Sequence, residues 1–231
     1  MPVPARCAPP RVPSAEYGVC CAVMAKFRGH RGFAALWDWM TRHESRSERE
    51  MRKLAGSRVS GRVLELGVGV GANWDYLPEG VQYTGIEPDP YMVRRARERM
   101  AARGRDMALH QSRAEELPFA DETFDTVLVT LALCTVQDPG KALAEVRRVL
   151  APGGTLVFAE HVRPAGRVWG RLADGVTPAW SRVAAGCHPN RQTEAAITRA
   201  GLAIETISKR RVGGLPMIAG IARKPGPADA P

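Results

Sequence analysis

The stretch Val63-Leu64-Glu65-Leu66-Gly67-Val68-Gly69-Val70-Gly71-Ala72-Asn73 decides the reading of this chain. Arg62 to Leu66 (RVLEL) is a short apolar run that stops at glycine, as a buried parallel strand does. A strand that ends in G-x-G-x-G and opens a helix brings bare backbone against a bound nucleotide, because side chains there would block the approach. A short helix is expected over Gly71 to Leu77, stopped by Pro78. The third glycine, Gly71, comes one place early for the dinucleotide pattern G-x-G-x-x-G. Glu65, inside the strand end, would oppose a pyrophosphate.

Working outward, strands alternate with helices. Phe33 to Leu54 reads as one or two amphipathic helices. Gln82 to Glu87 (QYTGIE) is a second strand, and Asp89-Pro90 starts a helix to about Arg103. Asp106 to Gln111 is a weak third strand and Phe124 to Leu131 (FDTVLVTL) a strong fourth. Asp138-Pro139 starts a helix to Leu150, stopped by Pro152-Gly153-Gly154, before a fifth strand at Thr155 to Glu160. A helical segment over Arg167 to Ala184 is expected to break near Pro178, and another helix covers Gln192 to Ala200. Strands at Leu202 to Lys209 and Leu215 to Ala222 are joined by Gly213-Gly214, too short for a crossover, and so form an antiparallel hairpin. The fold class is α/β: a Rossmann-like, doubly wound, mostly parallel seven-stranded sheet with a C-terminal antiparallel hairpin and helices on both faces. One domain is expected over residues 26–223, with a helical cap at 33–55 and a lid region at 165–191. Residues 1–25 and 224–231 read as disordered tails.

Glu87 ends the second strand about 20 residues after Gly67, where a carboxylate can accept both ribose hydroxyls. Glu65 suits the ammonium group of the methionine part of S-adenosylmethionine, directly or through water. E-L-G-x-G-x-G, G-I-E-P, A-E-x-L-P-F (Ala114 to Phe119), F-D-T-V (Phe124 to Val127) and R-V-L-x-P-G-G (Arg148 to Gly154) follow in order. Together they resemble the class I S-adenosylmethionine-dependent methyltransferases with the type 11 methyltransferase domain. Thr130 to Gln137, Glu160-His161-Val162 and Gly186 to Thr193 are further similar to bacterial relatives of the mammalian alkyl-thiol methyltransferases. The resemblance implies S-adenosyl-L-methionine as cofactor, S-adenosyl-L-homocysteine as product and a small-molecule acceptor, first a thiol. Oxygen or nitrogen methylation of a metabolite is the alternative. By resemblance, Glu65, Gly67, Gly69, Gly71 and Asn73 line the methionine and ribose side. Glu87 holds the ribose, Pro88 and Met92 pack near the adenine, and Ala114 and Glu115 contact its edge. Arg113 stands where many relatives carry Asp. Leu131 ends the fourth strand, where cofactor and acceptor meet.

Three places can carry chemistry: Cys134, read as a buried pocket residue; His161 after the fifth strand; and Gly186 to Arg191, where His188 and Arg191 are expected to face the acceptor. The cysteines Cys7, Cys20, Cys21, Cys134 and Cys187 have no C-x-x-C spacing, so no metal site is expected and a reducing, cytoplasmic setting is. Phe33, Trp37, Trp39 and Met40, with Trp169, Leu172, Val176, Trp180 and Val183, could cover an apolar acceptor site.

The chain has 231 residues, 33 basic against 24 acidic, and a formal charge of +9. Its arginines are scattered, with one cluster (Arg94, Arg95, Arg97, Arg99, Arg103 and Arg105) on the helix after Glu87, read as a solvated face, as are Arg147 and Arg148. The excess therefore reads as surface charge rather than a nucleic-acid footprint. No apolar run reaches the ~20 residues of a membrane span, and no stable membrane insertion is expected. Tyr17 to Ala25 is too weak for a signal peptide, and translation could start at Met1 or Met24. Oligomeric state is not legible in these residues.

Overall fold

The computed structural model describes residues 29–103 and 107–226. The expectations for residues 1–28, for Arg105 and for residues 227–231 lie outside the described residues.

Helices α1 (Arg31–Arg42) and α2 (Arg46–Gly56) precede strand β1 (Arg62–Leu66). Then come β2 (Gln82–Ile86), α3 (Pro90–Ala102), β3 (Ala108–His110), β4 (Phe124–Thr130), α4 (Pro139–Val149) and β5 (Leu150–His161). The chain ends with α5 (Arg167–Val183), α6 (Thr193–Arg199), β6 (Ala203–Val212) and β7 (Leu215–Arg223). The seven strands form one sheet in the order β3-β2-β1-β4-β5-β7-β6. The first five are parallel, and β7 runs antiparallel to both β5 and β6. Gly213 and Gly214 both have positive φ, 57° and 84°, as the two-residue hairpin turn requires.

Side chains alternate across the sheet with the two-residue period of a strand. Val127, Val129, Leu156 and Phe158 join Leu143, Val146 and Ile197 of α4 and α6 in one core. Leu128, Val157 and Ala159 join Met51 and Ala55 of α2 and Ala96 of α3 in the other. Helix starts follow local chemistry. Ser45 and Glu48 form a reciprocal capping box at α2. Asp89 and Asp138 cap α3 and α4, each followed by proline at the first helical turn.

Four expectations are corrected. The helix over Gly71 to Leu77 is reduced to turns and a single 3-10 turn, Trp74–Tyr76. Gly71 is left-handed (φ 79°), and a Cβ there would lie 2.6 Å from the buried Trp74 ring, so the chain folds back around that indole. Second, β5 starts at Leu150 and passes Pro152-Gly153-Gly154, because an irregularity opposite Phe124 and Thr126 absorbs the extra residues. Third, α5 continues through Pro178. Proline removes only one amide from the ladder, and the Thr177 hydroxyl donates to the Ala173 carbonyl beside that gap (2.7 Å).

Fourth, the arginines of α3 are not simply solvated. Arg95 and Arg99 reach across to the buried Asp38 of α1, at 2.8 and 3.1 Å, where Arg42 joins them at 3.2 Å. Arg148 likewise pairs with Glu145 and Asp121 and donates to the carbonyls of Leu117 and Phe119, tying down the segment after β3. Burial raises the Asp38 carboxyl, but the guanidiniums of Arg42, Arg99 and Arg95 outweigh it and hold the pKa below the ordinary value. That stabilisation is present above the unfolded-state pKa of about 4 and is lost as pH falls through the lower folded value. Asp38→Asn should therefore destabilise the α1–α3 contact by about 1–3 kcal/mol at neutral pH. Hydrogen exchange in α1 should speed up in the variant, and the difference from wild type should vanish in acid.

Candidate functional site

The C-terminal ends of β1, β2, β4 and β5 open into a cavity of about 840 Å³, roofed by α1 and by the end of α5. Loops after parallel strands meet at this edge, which is where such sheets place ligands.

At one end lies the glycine loop. The amides of Gly67 and Val68 both donate to the Ile86 carbonyl at 3.0 Å, folding the loop over β2. Gly67 and Gly69 line the cavity and have positive φ. A Cβ on Gly67 would lie 2.6 Å from the Ala132 methyl, and one on Gly69 would lie 3.3 Å from Trp37 Nε1. Gly71 does not line the cavity; its freedom serves Trp74.

Glu87 sits buried at the cavity wall and accepts the amides of Gly69 (2.8 Å) and Asp89 (2.9 Å). Burial pushes its pKa up to about 7, against the pull of the Asp89 and Gly69 amides. Asp89 in turn accepts the amides of Tyr91, Met92 and His30, so one carboxylate links the start of α3 to the entry of α1.

Glu65 is placed differently from its expectation. It is buried behind the cavity wall and accepts Tyr83 Oη (2.5 Å) and Asn73 Nδ2 (2.7 Å). Its pKa rises to about 7 through burial, countered by those bonds and by the Arg52 charge. Asn73 is the residue that reaches the cavity, held also by Thr130 Oγ1 (2.7 Å) and by Arg52 Nη1 (3.1 Å). Arg52, paired with Glu44, lines the cavity from α2. One arginine among so many carries no mark in the sequence. The capping-box pattern that places α2 was the available signal.

Pro88, Met92, Ala114 and Glu115 all line the cavity beside Arg113. Glu115 is engaged elsewhere: it accepts the amides of Gln137 and Asp138 (2.7 and 3.2 Å) at the start of α4, and Arg113 lies 3.5 Å away. Leu131 lines the cavity in a left-handed conformation (φ 55°), costly for a branched side chain. The turn it makes is clamped by the buried Glu160, which accepts the amides of Ala132, Leu133 and Cys134 at 2.8, 2.9 and 3.1 Å.

At the other end, His161, His188, Cys134 and Cys187 line the cavity together. The His188 amide donates to the Cys134 carbonyl (2.7 Å). Its Nδ1 lies 2.6 Å from the Gly186 carbonyl, to which it can only donate. Arg191 does not face the cavity. Its guanidinium donates to the Leu133 and Val136 carbonyls and holds the turn after β4 from behind. Phe33, Leu36, Trp37, Met40, Trp180 and Val183 close the apolar side. Trp39 and Trp169 do not contribute; they are 59% and 65% exposed and turned away.

Residues 64–158 match the family described as Methyltransferase domain. The chain is 37% identical over 153 residues to the thiol S-methyltransferase TMT1B of Rattus norvegicus, covering 62% of this chain and 61% of that one. It is 36% identical over 129 residues to a phosphatidylethanolamine N-methyltransferase of Cereibacter sphaeroides, covering 55% of this chain and 64% of the relative. The chain thus spans about three fifths of the length of the curated relatives it matches. Among solved structures, the YcgJ protein of Bacillus subtilis superposes with a TM-score of 0.64 at 21% identity, covering 78% of this chain and 98% of that one, a likeness of fold. The strand order, the glycine loop and the cavity at the sheet edge give a Rossmann-like fold, and within it residues 64–158 are similar to a methyltransferase domain.

Proposed function

We propose that the chain is an S-adenosylmethionine-dependent methyltransferase acting on a small thiol, with S-adenosylhomocysteine as its product. The observation that carries the reading is one continuous cavity, with Gly67, Gly69 and Glu87 at one end and His161, His188 and two cysteines at the other. The donor set fits the cofactor. Glu87 offers an acceptor for ribose hydroxyls, and a side chain on Gly69 would intrude toward Trp37. Pro88, Met92 and Ala114 form an apolar slot for the base. Asn73 and Arg52 meet the amino-acid end, and Glu65 acts through Asn73 by fixing its amide. When bound, the cofactor supplies a methyl group already activated on a sulfonium.

What remains for the protein is alignment and exclusion of water. Leu131 and the clamped turn after β4 set the floor. Residues 33–55 serve as cap and residues 165–191 as lid, bringing Trp37 and Trp180 over the cavity. In this reading His188 Nε2 takes the thiol proton, and the acceptor sulfur, as thiolate, attacks in line. The apolar walls favour a small apolar acceptor over nucleic acid, and the basic residues of α3 are partly spent on Asp38. Two adjacent free thiols, Cys134 and Cys187, fit a reducing, cytoplasmic setting. An amine acceptor is the second reading, favoured by the likeness to the Cereibacter sphaeroides enzyme.

Formation of S-adenosylhomocysteine across a panel of thiols, phenols and amines tests the reading. Thiols should turn over fastest, and turnover of amines alone would replace the first reading by the second. Glu87→Gln should weaken cofactor binding about 100-fold by calorimetry, since it removes charge from two hydrogen bonds. Glu65 and Glu87 have folded pKa values near 7, above the ordinary carboxylate value. Their contribution to stability of the free chain is therefore present at low pH and lost as pH rises through about 7. The ribose hydroxyl donors favour the ionised form of Glu87, so binding should tighten between about pH 6 and pH 8 and release a proton. Calorimetry in buffers of different ionisation enthalpy reads that release. His188→Ala should lower kcat/KM by ~100-fold at neutral pH, and by less at a pH where the acceptor thiol is already ionised.

A further inference from the structure

Cys134, His161 and Cys187 stand far apart in the chain, on the turn after β4, at the end of β5 and after α5. The fold brings one ligand atom from each to within 4.8 Å of the others. The two sulfurs are 3.7 Å apart. Two Zn–S bonds of ~2.3 Å at a tetrahedral angle place their sulfurs ~3.8 Å apart, so the thiols already stand at chelating separation. A disulfide would need ~2.05 Å. His161 Nδ1 is buried without a hydrogen-bond partner, a state that costs free energy and that a bond to a cation would relieve. All three side chains line the cavity at its acceptor end.

The surroundings can carry the charge. A divalent cation with two thiolates is neutral, and the nearby Glu160 and Arg191 offset one another. Glu160 is spent on three backbone amides, which fix Cys134 as an outer partner fixes a metal ligand. Two sulfurs and one imidazole select a zinc-like ion over a hard oxygen-seeking one. Three protein ligands leave a tetrahedral ion one open position, the arrangement of catalytic rather than structural sites.

We propose that Cys134, Cys187 and His161 form a three-ligand site for a zinc-class divalent cation, with its fourth position open to the cavity and filled by the acceptor thiolate. The fourth ligand rests on the thiol reading above; the three-ligand site does not. Loading the ion displaces one proton from each cysteine, and binding the acceptor thiol displaces a third. The acceptor sulfur then forms the new carbon–sulfur bond as the sulfonium carbon–sulfur bond breaks. The electron pair of the broken bond stays on the departing sulfur, and the ion keeps its oxidation state. The thioether formed is a weak ligand and leaves. The site deepens the role of Cys134, whose spacing in the chain pointed only to a buried pocket residue.

The test uses the full chain under reducing conditions, titrated with Co²⁺ as a spectroscopic substitute. A thiolate-to-cobalt charge-transfer band should saturate at about one ion per chain, with the visible bands of a tetrahedral site, and should be displaced by Zn²⁺. Adding an alkyl thiol without any methyl donor should shift those bands. Cys187→Ser and His161→Ala, checked for folding by circular dichroism, should each weaken Co²⁺ binding beyond the ~100-fold that loss of an outer partner costs. No thiolate band from the reduced wild-type chain overturns the site. A band that the thiol leaves unchanged overturns the open position. The two proposals fail separately. Undiminished thiol methylation by chelator-treated, metal-free chain sinks the acceptor's bond to the ion and leaves the function standing. A chain that binds Co²⁺ but methylates no thiol does the reverse.

Discussion

Glu160 accepts amides from three consecutive residues just past β4, and the geometry of the cavity end that holds Cys134 depends on that clamp. Parallel strands leave their following loops with unpaired amides at the sheet edge, and a buried edge cannot leave them unmade. A carboxylate at the end of the neighbouring strand satisfies three at once. It also forces the tight turn in which Leu131 becomes left-handed, and it aims Cys134 at Cys187. Arg191 holds the same turn from the other side through the Leu133 and Val136 carbonyls. The device recurs in weaker form beside the glycine loop, where Glu87 gathers the amides of Gly69 and Asp89. Burial raises the pKa of both carboxylates, so each is bound to its loop by hydrogen bonds made against a desolvation cost.

Much of this was legible in the residues. The strand-and-helix alternation, the hairpin at Gly213-Gly214 and the caps at Asp89 and Asp138 follow from local chemistry, and local chemistry is what a sequence displays. The errors lie where tertiary contacts override it. Gly71 to Leu77 has a helical pattern, yet the demand to bury Trp74 against Tyr83 turns it into loop. Pro178 would break an isolated helix, and in α5 the loss of one bond is tolerated.

The candidate site divides in the same way. Gly67, Gly69, Asn73, Glu87, Pro88, Met92, Ala114, Glu115 and Leu131 all reach the cavity, because a motif fixes their place relative to one strand end. Glu65 lies one layer behind Asn73, a distinction of depth that strand periodicity does not encode. Arg191 holds backbone instead of facing the cavity. Arg52 and the grouping of Cys134, His161 and Cys187 were illegible, since each depends on elements separated by more than twenty residues and joined only by the folded sheet.

The hairpin turn between β6 and β7 has a consequence of its own. Val212, Gly213, Leu215 and Met217 form part of the cavity wall, although they belong to the last two strands and the turn between them. Part of the cavity wall therefore comes from a stretch of chain far in sequence from the glycine loop. Lengthening or recolouring a two-residue turn would reshape what the cavity admits while leaving the glycine loop untouched, so a lineage could change its acceptor by drift at the C-terminal edge.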